Sequence, residues 1–268
     1  MSLPVPPELP QRTEMRKALH SLINHIASLS PVDEIKIPSK IDQLRFEPMV
    51  LDENSENRPS FLAPLPASLL IDPDEHHDRK YGMEYVTFDS LPEDSNDPKI
   101  CARAIDNYFS HYAWHCSYDI PKEDLVWSSV NVGEGPYVNL YRYEYPEFGP
   151  TWVEQVQKGP YSHANATIYN DLNANDGSIL QGELLFALRL IMAQMRRARF
   201  IDHMVTPIIV FSFMGPQHAR VIEAYMDGHT VVVRPTKLYD LRTKDEAALK
   251  TLAQWYFSKP LKPTGSSQ

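Results

Sequence analysis

The chain has 268 residues, 43% of them hydrophobic and 23% charged, which suffices for a buried core and excludes wholesale disorder. Its formal net charge of -9 argues against indiscriminate nucleic-acid binding, although residues 181–268 carry 12 basic against 7 acidic side chains while residues 1–180 carry 14 against 28. Cys101 and Cys116 are the only cysteines and sit in no metal-ligand spacing, so a disulfide scaffold is disfavoured and a reducing cytoplasmic or nuclear setting is expected.

Residues 1–11 read as a flexible tail without a signal-peptide core, followed by an amphipathic helix from Thr13 to Leu29 with Met15, Leu19, Leu22 and Ile26 on one side. Residues 33–48 suggest one short strand interrupted by Pro38. The interval near 48–98 is acidic and proline-punctuated, an irregular insertion with one added strand at Tyr81–Phe88. His76 and His77 stand among Asp72, Asp74, Glu75 and Asp78, but adjacent ligands point apart, and the stretch reads as a solvated acidic loop.

Ser95 or Asp97 is placed to cap a helix from Pro98 to about Cys116, with Pro98 favourable in the first turn. Its end is crowded with His111, Tyr112, Trp114, His115 and Cys116, which reads as aromatic packing because the neighbouring His115 and Cys116 diverge. Two strands are then expected, at Asp124–Val132 and Tyr137–Tyr145, joined by a GEGP turn. The second lines up tyrosines, and Tyr141 and Tyr143 are candidate binding residues. Trp152, Val153 and Val156 fit a helical turn or a short strand, and the Asn-rich run to Gly177 reads as a loop.

The best-patterned stretch runs from Gly177 to Asp240. A helix from Ile179, apolar on more than one side, is followed by three strands, TPIIVFSF, RVIEAYMDG and TVVVRPTKLYDL. The turn at Asp227–His229 makes the last two antiparallel neighbours. Arg196, Arg197 and Arg199 crowd the helix end, where the dipole favours cations and an anion site is conceivable. A second amphipathic helix at Asp245–Phe257 covers the sheet, and residues 259–268 read as a tail.

A helix bearing an acid, a strand bearing an acid and a strand bearing a base resembles the core of PD-(D/E)XK nuclease-like domains, over roughly residues 177–257. The resemblance implies an α/β or α+β fold with a mixed central sheet flanked by helices. It also implies that Glu183 and Glu223 hold a divalent metal such as Mg while a lysine, here Lys237, assists water attack. The pattern departs from the family, because Glu223 lacks the preceding proline and Val232, Val233 and Arg234 occupy the E-x-K position. A degenerate, non-catalytic module acting in protein interaction or assembly, possessing no cofactor, is therefore the expected function. Nuclease chemistry through Glu183, Glu223 and Lys237 is one alternative. A nucleic-acid-binding role through Arg196, Arg197, Arg199, Arg220 and Arg234 is another, and no membrane association is expected.

Overall fold

A computed structural model describes residues 7–91 and 97–264. Ser95, one of the two expected helix caps, lies outside the described residues.

An eight-stranded mixed sheet organises the molecule, with its strands in the order β2 (Leu44–Phe46), β10 (Thr230–Pro235), β9 (His218–Asp227), β8 (Ile208–Gly215), β6 (Ala164–Asn173), β5 (Phe148–Val156) and β4 (Trp127–Ser129). A two-residue strand, β11 (Tyr239–Asp240), also pairs with β9. Helices α1 (Pro10–Ser28) and α4 (Gln181–Met195) cover one face, and α3 (Pro98–Asp119) and α5 (Glu246–Tyr256) cover the other. This confirms the mixed α/β sheet flanked by helices.

Within Gly177–Asp240 the helix and three strands form in the expected order, and β9 and β10 pair antiparallel as read. Strand β8 also pairs antiparallel with β9, and the helix begins at Gln181 after a short strand at Ser178–Leu180. Every residue of α4 except Arg189 is buried, as befits a helix apolar on several sides and packed between the sheet and α1. A parallel pair needs a crossover, and α4 supplies the one between β6 and β8. With both its faces covered, β8 is buried along its whole length.

Several elements differ from the sequence reading. No strand forms over Tyr137–Tyr145; a short 3-10 turn at Gly135–Tyr137 and an isolated bridge between Arg142 and Phe148 replace it. The tyrosine run alternates but offers no apolar face to bury, and Pro136 and Pro146 bracket it. A long strand lies at Phe148–Val156, where Trp152, Val153 and Val156 fitted a helical turn or a short strand, and the register shift between Pro150 and Trp152 accommodates the proline. The Asn-rich run over residues 170–177 divides: residues 170–173 end the long strand β6, and 174–177 form the expected loop. Within β6 the Asn170 amide donates to Ser212 Oγ at 2.9 Å, and the Asn165 amide donates to the Tyr256 carbonyl at 2.9 Å.

His76 and His77 belong to a helix, α2 (Glu75–Tyr81), whose N-cap Asp74 accepts from the His77 N–H. Residues 83–87 after it form no strand. The first helix begins at Pro10, three residues before the expected Thr13, whose hydroxyl donates to Glu8. Near the other end, β12 (Lys259–Pro260) pairs with β3 (Leu62–Ala63), so residues that read as a tail contribute a strand. Residues 34–36 form β1, which pairs with β7 (Ser178–Leu180). Among the described residues, no helix is long and apolar enough to cross a membrane.

Candidate functional site

Strand alternation decides where the two acids of the nuclease-like pattern point. Arg220 and Glu223 are three residues apart on β9, so their side chains emerge on opposite faces of the sheet. Glu183, on α4, meets Arg220: Glu183 Oε1 lies 2.9 Å from Arg220 Nε, while Glu183 Oε2 accepts the Leu180 N–H at the start of the helix. Glu223, on the other face, meets Arg234 of the adjacent strand at 2.6 Å. Helix α4 and Glu183 are thus separated from Glu223 by the sheet itself.

Both acids are fully buried, and both have fixed structural partners. Glu223 accepts the Ser60 and Phe61 N–H groups, while Arg234 donates to the carbonyls of Asn57 and Arg58 and to Ser60 Oγ. The pair fastens the loop around residues 57–61 across β9 and β10. Burial pushes the Glu223 carboxyl above the usual range, against the opposing effects of those N–H groups and Arg234. Lys237 is exposed beyond Pro235, where β10 ends. Among the described residues, no three His, Cys, Asp or Glu side chains are grouped to hold a metal ion.

The five arginines do not converge. Arg220 and Arg234 are buried on opposite faces, Arg199 donates to the Val156 carbonyl, and Arg197 lies over the Tyr137 ring. Arg196 is exposed just past α4. Tyr141 and Tyr143 do come together, with stacked rings 5.3 Å apart, and the Tyr141 hydroxyl donates to the Pro150 carbonyl. Tyr141 packs directly over Gly149, where an added Cβ would come within 2.2 Å of the ring. Tyr143 projects into solvent.

A different constellation forms where α3, the β4–β5 edge and the end of α5 meet. Strands β4 and β5 pair with Ser129 opposite Glu154, which places Trp127, Ser129, Trp152 and Glu154 on the face that α3 and α5 cover. Helix α3 contributes His111 and Trp114, and α5 contributes Tyr256. Together they line a cleft of about 470 Å³, with Leu125 and Phe257 completing its apolar wall. Of the four tryptophans in the chain, only Trp255 lies in the core instead. Trp114 and Trp152 keep 57% and 48% of their surface exposed, an uncommon disposition for the most apolar large side chain.

The cleft is acidic. Burial pushes the Glu154 carboxyl up to about 6, with the Tyr256 hydroxyl working in the opposite direction by hydrogen bonding to its charged form. Behind it, on α3, burial likewise pushes Asp106 up to about 6, opposed by the hydrogen bond from Thr151. Asp106 Oδ1 has no hydrogen-bond partner among the described residues. No lysine or arginine lines the cleft.

Sequence reasoning missed this site because its residues come from four separated segments. The available signal was the placement of three tryptophans between positions 114 and 152, spread over a helix and two strands whose pairing the sequence did not reveal. No family model, no curated protein and no solved structure matches the chain.

Proposed function

We propose that this protein is a non-catalytic binding module that captures an extended segment of a partner protein at the tryptophan cleft. The observation that carries the reading is the convergence of Trp114, Trp127 and Trp152 on one open cleft at the end of the sheet. Half-exposed aromatic side chains in a concave site are the anchors typical of interaction surfaces, since they bury much area at low entropic cost.

The sheet edge supports an extended occupant. Val126 and Val130 exchange main-chain hydrogen bonds with Gln157 and Val153 on the β5 side, so by alternation the main-chain groups of Trp127 and Ser129 face away from β5. Their side chains line the cleft. A strand added at this edge would place its own alternate side chains over the indole rings. The acids of the nuclease-like pattern need no catalytic role in this reading, because each is occupied by a buried arginine.

Selection from a displayed random 12-residue peptide library on the full chain tests the proposal. Enriched peptides are expected to perturb the indole N–H resonances of Trp114, Trp127 and Trp152 while leaving Trp255 unmoved, and to bind Trp114→Ala and Trp152→Ala at least about tenfold more weakly. Peptides whose affinity is indifferent to both substitutions would overturn it.

A further inference from the structure

The charge of the cleft is as informative as its shape. Glu154 sits among Trp114, Trp127, Trp152 and Tyr256, and the lining contains no cationic side chain to balance it. Two other buried acids are balanced by cations of their own: Glu183 has Arg220, and Glu223 has Arg234. Glu154 shares the cleft with the Tyr256 hydroxyl on α5, His111 on α3 and Ser129 on β4, and Asn165 of β6 stands opposite it in the strand register. Tyr256 stabilises the carboxylate by a hydrogen bond, and Asp106 on α3 acts on the same tyrosine. Aromatic faces carry a negative quadrupole, so three indoles and a phenol make the same space favourable for a cation.

We infer that the captured segment presents a basic side chain, lysine or arginine, whose charged head meets Glu154 while its aliphatic stem lies along the tryptophan rings. This deepens the proposed function and rests on it. A long basic side chain suits the cleft because its stem is apolar and its head is charged, matching indole walls around a carboxylate. A polypeptide source is favoured over a free amine for two reasons. The outward main-chain groups of Trp127 and Ser129 offer hydrogen bonds at the spacing of a second extended backbone, which a free amine does not match. The exposed aromatic surface also continues beyond the cleft through Tyr118, whose ring lies 5.2 Å from that of Trp114. The chain's net charge of -9 would further speed encounter with a basic segment.

The experiment uses the full chain and four synthetic heptapeptides of alternating threonine and valine, differing only in a central lysine, arginine, norleucine or glutamate, with n-butylammonium as a free amine. Binding is read from the indole resonances. The lysine and arginine peptides are expected to bind about tenfold or more tightly than the norleucine peptide, with glutamate weakest. Glu154→Gln should erase most of the difference between the lysine and norleucine peptides.

Affinity for the lysine peptide should also fall from pH 7 to pH 5 as Glu154 takes up a proton. Comparison of wild type with Glu154→Gln isolates the Glu154 contribution. Equal binding of lysine and norleucine peptides, with both lost in Trp114→Ala, would overturn the basic side chain and leave the cleft's binding role standing. Saturation by n-butylammonium at the same concentration as the lysine peptide would overturn the polypeptide source. Unmoved indole resonances with every probe would overturn the inference, and failure of the library selection as well would overturn the binding role beneath it.

Discussion

Carboxylates withdrawn from water around this sheet are of two kinds. Glu183 and Glu223 each face an arginine and tie secondary structure together: Glu183 joins the start of α4 to β9, and Glu223 joins the loop at residues 57–61 to β9 and β10. Glu154 and Asp106 face hydroxyl groups instead, and burial raises both. A carboxylate with a built-in cation is finished as structure. One without a cation is costly to keep charged and is ready for a cation from outside.

Breaking the first kind should have the largest effect. Glu223→Ala removes the buried carboxylate partner of Arg234, leaving it the half-exposed Glu47 at 3.7 Å, and is expected to lower stability by about 3–5 kcal/mol, measured by chemical denaturation. The double replacement Glu223→Leu with Arg234→Met should recover most of that loss, because it removes both charges and retains the volume. Failure to recover would show that the contacts to residues 57–61, and not the charge, dominate.

Removing the second kind should act in the opposite direction. The folded-state values of Glu154 and Asp106 lie above those of an unfolded chain, so their protonated forms favour folding. That contribution is fully present below pH about 4 and is lost as pH rises through about 6. Glu154→Gln and Asp106→Asn should therefore each stabilise the protein at pH 7 by roughly 1–2 kcal/mol and flatten its decline between pH 4 and 6. His163 contributes the opposite slope, since burial depresses it to about 4 and stability is lost as acid forces its protonation. Differences between each variant and wild type isolate the carboxylates.

Smaller effects sharpen the contrast between scaffold and cleft. Trp114→Ala and Trp152→Ala should cost less than about 1 kcal/mol of folding stability, because about half of each side chain is already in water, while weakening partner binding far more. Lys237→Ala should change stability by less than about 0.5 kcal/mol, as expected of an exposed side chain beyond a strand end. A thermal or denaturant midpoint series checks all three.

Particular residues show what was legible in the chain. The apolar side of residues 179–195, the β-branched run at 208–211 and the turn at Asp227–Gly228 encode α4, β8 and the β9–β10 hairpin through neighbours a few positions apart. The Asp97 and Asp245 caps were equally readable, because a cap bonds main-chain groups two or three residues on. The pairing of Glu183 with an arginine was open to anticipation, since a buried acid needs a counter-charge, but the choice of Arg220 over Arg234 followed from strand alternation and packing.

The amino-acid order alone therefore determined the central helix, the three strands after it with the antiparallel pairing of the last two, and the flanking helices, all set by local periodicity and turn chemistry. Tertiary structure decided the rest. Pro150 had to meet a register shift before its segment could be a strand, and the buried asparagines of β6 had to find partners as distant as Ser212 and Tyr256. The same long-range pairing brought Trp114, Trp127, Trp152, Glu154 and Tyr256 to one cleft and sent Glu183 and Glu223 to opposite faces of the sheet. Side-chain chemistry is written residue by residue, but which groups share a site depends on strand order and register, through contacts between segments about a hundred residues apart.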